Sequence, residues 1–403
     1  MSWRPLFTCG NICDGAGEPN LHAETYVTVP EPRHLRTLWW SLILLTVFIW
    51  IFCTKNIKRG IIGGMKKEKH ITNVGVTTLI ASLLIAAIII SAAIGRYPIG
   101  IREIFGIVFS KLFNIEPFWS ATQASLLLSH RIPRIILACL VGCCLSAAGA
   151  SYQGIFQNPM ASPDILGASS GAAFGAALGI LLGFGNMMII VSAFVVSLLS
   201  VIIVVFVGKR IRGNSTIGLI LIGIMISSLF SSGTSFIKLV ADTQEQLPAI
   251  TYWLIGSLNG AQTYDIQIVF IPMLIGLVLL ILLRWRLNIL AFGDEEATTM
   301  GVNVNRLRTV IIICATLLTA SSVAVSGMIG WVGLIIPHLA RRIVGNDFKI
   351  LMPVTMLLGA VFMLVVDDVS RSLLATEIPI GILTSVIGAP FFIYLMVKGG
   401  AKE

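Results

Sequence analysis

Past residue 70 the chain is a succession of long apolar runs separated by short polar breaks. The runs lie near 73–95, 133–152, 165–184, 187–207, 216–240, 266–284, 307–326, 331–344, 350–368 and 381–397, and a further run, Leu38–Cys53, precedes them. Most approach the ~20 residues that a helix needs to cross the hydrocarbon layer of a bilayer. Strands of an outer-membrane barrel would alternate apolar and polar positions, and these runs are continuous. The pattern predicts an all-α polytopic membrane protein with about ten transmembrane helices, the eighth of them short, plus an extra N-terminal helix if residues 38–53 also insert.

Composition agrees. Hydrophobic residues make up 56% of the 403 and charged residues only 12%, with a mean hydropathy of +0.92. A soluble chain carries about a quarter of its residues charged, so most of this surface faces lipid. The net charge of +9 is distributed as topology signal and not as a nucleic-acid footprint. Lys209, Arg210 and Arg212, then Arg284, Arg286, Arg306 and Arg308, then Arg341, Arg342 and Lys349, then Lys398 and Lys402 all fall on one side of a ten-span arrangement. Lys66, Lys67 and Lys69 join them, and the positive-inside rule makes that side cytoplasmic. Arg96, Arg102, Lys111, Arg131 and Arg134 lie on the opposite, outer side and call for another explanation.

Residues 1–64 differ in character from 65–403. Gly15, Gly17, Pro19, Pro30 and Pro32 give the first 36 residues a loop-like composition. Leu38–Cys53, followed by Lys55, Lys58 and Arg59, reads either as an N-out anchor helix or as part of an extension upstream of a natural start at Met65; the extension is the preferred reading. The basic residues follow the apolar run, which is not the order of a cleavable signal. Cys9 and Cys13 form a C-x3-C without further ligands at metal spacing.

Gly167, Gly171, Gly175, Gly179 and Gly183 recur every fourth residue, which places them on one helix face. Small residues let helices approach closely in lipid, so this stripe predicts a packing groove; a groove that slides during gating is the alternative. Asn158-Pro159-Met160-Ala161-Ser162-Pro163-Asp164 interrupts two apolar stretches with prolines that cannot continue a helix. Ser227, Ser228, Ser231, Ser232, Thr234 and Ser235 give the fifth span a polar side, through back-bonding to helical carbonyls or as the lining of a water-filled path. Asp367, Asp368, Arg371 and Glu377 gather at the outer end of the ninth span. No G-x-x-x-x-G-K-[ST] phosphate cradle occurs in the sequence, so ATP-driven work requires a separate ATPase.

From Arg131 to Pro390 the sequence resembles the FecCD family of importer permeases, which serve iron-siderophore, haem and vitamin B12 uptake. The stretches that carry the resemblance are RIPRIILACLVGCCLSAAGASYQGIFQNPMASPDILGASSGA, GVNVNRLR, SGMIGWVGLIIPHLARRIVG and DDVSRSLLATEIPIGILTSVIGAPFF. Trp331 stands where the family commonly has Phe, and residues 1–64 have no counterpart. The resemblance implies the type II ABC importer permease fold in the cytoplasmic membrane. It also implies a homodimer or permease pair around a central path, two ABC ATPase subunits and one external substrate-binding protein, with no cofactor, no metal and no catalytic residue. Carried over by motif, Arg131, Arg134 and Arg371 would meet acidic residues on the binding protein, since guanidinium pairs with carboxylate in a bidentate way. Gly293, Asp294, Glu295, Glu296, Ala297, Met300 and Gly301 resemble the segment that couples to the ATPase. Asn158, Met160, Ser215 and Thr216 resemble the cytoplasmic gate.

The expected cargo is an iron-siderophore or related metal chelate; haem, cobalamin and molybdate are alternatives within the same architecture. A secondary carrier or membrane-embedded enzyme is the competing class. No row of buried acids or histidines favours a proton-coupled carrier, and the five histidines, His22, His34, His70, His130 and His338, are scattered. His338 reads as a structural hydrogen-bonding residue.

Overall fold

The computed structural model describes residues 66–95, 97, 99–113, 116–210, 215–374 and 376–400. These fall in one of the two units into which the chain divides, 51–403. The run 38–53 and the Cys9/Cys13 pair lie outside the described residues. The helices are α1 (Lys66–Ala93), α2 (Ile101–Phe113), α3 (Ala121–Ile155), α4 (Ala168–Leu181), α5 (Asn186–Gly208), α6 (Ser215–Val240), α7 (Gln246–Ile255), α8 (Thr263–Phe292), α9 (Asp294–Thr299), α10 (Val304–Ser326), α11 (Val332–Val344), α12 (Phe348–Ser372) and α13 (Ile380–Gly400).

Ten of these match the ten predicted runs. Seven are long and apolar enough to cross a membrane. Two others, α4 with 14 residues and α11 with 13, are about 20 Å long at 1.5 Å per residue, too short for a ~30 Å hydrocarbon core. The sequence predicts both runs as spans, the second of them short; in the structure irregular backbone leads into each helix. Before α4 runs a non-helical segment ending in a tight turn at Pro163–Leu166, and before α11 runs 327–331. Ala161, Pro163 and Ile329 are buried, so this irregular backbone is sheltered by protein, as lipid demands.

The core is a trio. In α3, α10 and α12, 78%, 72% and 67% of the spanning window is buried, against 11% for α1 and 22% for α6 and α8. Close backbone approach holds the trio and its neighbours together. A Cβ at Gly142 of α3 would run into the Gly359 carbonyl of α12, and one at Gly149 into the backbone of Gly333 in α11. The glycine stripe on α4 serves packing: Gly171 and Gly175 lie against Ser200 and the Ser192 carbonyl of α5. Ser197 and Ser200 return hydrogen bonds of 2.8 and 3.0 Å to the carbonyls of Ala168 and Gly167.

Within α3, Leu126–Arg131 is π-helical and leads directly into Pro133. Proline has no N–H and crowds the carbonyl four residues back, and the wider π turn accommodates that ring.

Candidate functional site

Three groups of residues, one at the outer end and two at the end of the basic loops, carry the chemistry. At the outer end Asp367 is fully buried between two guanidinium groups. Arg134 approaches it through Nη2 at 2.8 Å and Nε at 2.9 Å, and Arg371 through Nε at 3.2 Å. Arg134 also pairs with Glu377 at 2.9 Å. Arg371 pairs with Asp368 and bonds Ser91 Oγ at 2.8 Å, while Ser91 donates to Asp368 Oδ1 at 2.7 Å. Arg131 donates to the carbonyls of Ala92 (2.7 Å), Ala93 (3.3 Å) and Tyr97, which clamps the end of α1 and the start of the α1–α2 connection.

The sequence reading placed these three arginines facing a partner. In the structure they are buried and turned inward, joining α1, α3 and α12. The reason is compensation: ions at membrane depth are costly unless paired, and Asp367, Asp368 and Glu377 pair with Arg134 and Arg371 while backbone carbonyls take the Arg131 donors. Internal partners, carboxylates for Arg134 and backbone carbonyls for Arg131, account for these two standing against the topology rule; Arg96 lies outside the described residues.

The second group is the inner segment Gly293–Gly301. Gly293 takes φ 134°, a conformation open to glycine, and breaks α8 from α9. Asp294, Glu295 and Glu296 occupy the first turn of α9, where the helix dipole favours negative charge. Gly301, at φ 78°, closes the helix with a bond from its N–H to the Thr298 carbonyl at 2.9 Å, and Val302 N–H reaches Ala297 at 3.1 Å. Ala297 is buried while Glu295, Glu296 and Met300 face outward. Arg308 of α10 holds both oxygens of Asp294, at 2.7 and 2.8 Å, so the short helix is tied to the core trio.

The third is the turn after α3. Gln157 adopts a positive φ of 49°. Asn158 caps the turn by accepting Met160 N–H at 2.8 Å, and both residues are exposed. Ser162 caps the Pro163–Leu166 turn by accepting Asp164 N–H at 3.1 Å. α6 packs on that turn through Gly223, whose Cβ would sit 3.0 Å from Leu166 Cα. Ser215 and Thr216 begin α6, and their side chains lie outside the described residues. Two links were invisible in the sequence. Gln157 Nε2 donates to the Leu290 carbonyl at 3.0 Å, and Arg341 of α11 bonds Gln153 of α3. Their partners are far apart in the chain, and no local motif marks them.

On the serine face of α6, Thr234 and Ser235 bond back to the carbonyls of Phe230 and Ser231 at 2.9 and 3.0 Å. Ser228, Ser231 and Ser232 remain exposed on a helix whose own chain covers little of it.

Comparison with known proteins identifies the family. The family model described as the FecCD transport family matches residues 83–398. A Haemophilus influenzae protein described as a molybdate import system permease is 40% identical over 324 residues, 80% of this chain and 96% of that protein. A Yersinia pestis protein described as a hemin transport system permease is 35% identical over 67% of this chain and 83% of its own length. A solved structure of a metal-chelate type ABC transporter in an inward-facing conformation is 38% identical, with a TM-score of 0.73 over 80% of this chain and 99% of that one.

Proposed function

This chain belongs to the FecCD transport family, and on that premise we propose that it is the permease subunit of an ATP-binding cassette importer in the cytoplasmic membrane. Two copies enclose the path, two separate ATPase subunits bind the basic end, and an external binding protein delivers the cargo. The observation that carries the proposal is α9. It is a short acidic helix set between two spanning helices at the cytoplasmic end, exposed on one side and clasped by Arg308 on the other. Such a lever suits a groove on an ATPase. The gate, formed by Asn158, Met160, Ser215 and Thr216, lies on the adjoining turn and the start of α6, and the exposed serines of α6 line the path. Co-expression with ATPase chains tests this: the complex should hold two of each subunit and hydrolyse ATP, while the purified chain alone should not. Hydrolysis by the chain itself refutes the proposal.

Docking of the binding protein at the outer cluster belongs to the same reading. Acidic side chains on its lobes would take over guanidinium N–H groups of Arg131, Arg134 and Arg371 now held by Glu377, Asp368 and the Tyr97 carbonyl; Glu377, 23% exposed, stands at the rim. Arg134→Glu should abolish docking, and exchanging the facing acid of the binding protein for Arg should restore part of it. Unchanged binding by the single variant overturns this assignment.

For cargo we propose an iron-siderophore or related metal chelate. A second reading, molybdate, is favoured by the relative that matches over nearly its whole length. Uptake of a radiolabelled ferric chelate against radiolabelled molybdate, in vesicles holding the full complex, separates the two.

A further inference from the structure

The amphipathic helix α2 is a structural surplus: it is too short to span and forms no part of the gate, coupling segment or charged cluster. At 13 residues it is about 20 Å long. Ile101, Phe105, Phe109 and Phe113 repeat every fourth residue, share one face and are 56%, 46%, 38% and 70% exposed. The rings touch in sequence: Phe105 and Phe109 stack with centroids 6.2 Å apart, and Phe109 and Phe113 lie 5.9 Å apart. Val108 extends the same face. The opposite flank is committed to protein, since Ile104 and Ile107 are buried and Gly106 lies directly on Phe118 and Trp119, where a Cβ would come 2.7 and 2.6 Å from their rings. The Arg102 guanidinium turns back onto the protein and sits 4.9 Å above the Phe118 ring.

We propose that α2 lies in the plane of the outer leaflet, with its aromatic ladder set among the upper acyl chains. The occupant of this face is lipid, because the ladder continues the surface of α1 and does not form an isolated patch. Ile85, Ile88 and Ile90 on the outer half of α1 and Tyr97 beyond it are all exposed, on a helix with only 11% of its spanning window buried. A helix with a broad exposed apolar face takes this position at an interface, and aromatic rings concentrate there. Arg131 secures the arrangement by holding the carbonyls of Ala92, Ala93 and Tyr97 at the head of the connection that leads into α2. The helix then fixes the depth at which the outer cluster meets water. The inference requires only a multi-pass chain with this topology and does not depend on the transport reading.

The test uses the full unmodified chain in phospholipid vesicles carrying diazirine lipids, with the carbene source either near the headgroup or at the acyl terminus, and hydroxyl-radical footprinting as the aqueous probe. Mass spectrometry reads the labelled residues. Phe105, Phe109 and Phe113 should be labelled by the shallow lipid in preference to the deep one and be protected from hydroxyl radicals, while Ile85 takes the deep label. Radical labelling of the three rings at the level of exposed loops would overturn the proposal. So would protection from all three probes, which would mean a protein partner covers the face.

Discussion

The side-chain amide of Gln157 donates a 3.0 Å hydrogen bond to the carbonyl of Leu290 across 133 residues of sequence. Gln157 opens the turn that holds Asn158 and Met160, and Leu290 stands three residues before the Gly293 break into α9. One hydrogen bond therefore connects the proposed gate to the proposed ATPase lever.

Gln157→Leu should uncouple the two. A neutral hydrogen bond contributes about 1 kcal/mol, so the chain should fold and assemble with its ATPases. ATP hydrolysis should persist while cargo moved per ATP falls. Parallel measurement of uptake and hydrolysis in the same vesicles checks this; a proportional fall in both, or in neither, argues against the strut.

Asp294→Asn removes the carboxylate that Arg308 grips with both oxygens. Hydrogen bonds to charged groups are worth about 1.5–3 kcal/mol. Because Asp294 is 46% exposed, the low end applies. Thermal unfolding in detergent should shift down modestly, and co-purification with the ATPases should weaken more than stability does. An unaltered complex would show that α9 keeps its seat without the clasp.

Asp367→Asn should be the most destabilising exchange in the outer cluster. Its buried carboxylate serves Arg134 and Arg371 together, and breaking a buried ion pair costs about 3–5 kcal/mol. Glu377→Gln, at the partly exposed rim, should cost about 0–1 kcal/mol. The order of the two melting temperatures is the check, and a reversed order contradicts the network as described.

Gly149→Ala should destabilise by about 1–3 kcal/mol, the range for overpacking, because its Cβ would meet the Gly333 backbone, which cannot swing away as a flexible side chain can. Gly75→Ala, in α1 with nothing within 4 Å, should be neutral or slightly stabilising. Equal effects at both positions would refute the close approach of α3 and α11.

The ten apolar helices were legible in sequence because burial in lipid or core leaves a continuous apolar signature. The Asn158–Asp164 interruption was legible because proline acts on the backbone locally. The half-length of α4 was not, whereas the shortness of α11 was: Ile165 and Leu166 continue the apolar run although they lie in a tight turn before α4 begins. α2 and α7 were missed because both are shorter than a span. Least legible were the pairings. Arg134 and Asp367 are separated by 233 residues, so the sequence showed the arginines without showing what they hold.

That pairing bears on how fast anything can arrive at the outer end. Arg131, Arg134 and Arg371 against Asp367, Asp368 and Glu377 sum to zero, and Arg134 and Arg371 are in direct contact with the three carboxylates. Seen from beyond a Debye length, about 8 Å at physiological salt, such a set is a weak multipole and not a beacon. It can hold a docked carboxylate by contact geometry, yet it supplies little of the long-range field that accelerates encounter. Capture by these six residues would therefore be expressed in the dissociation rate, with an association rate to which they lend almost no dependence on ionic strength.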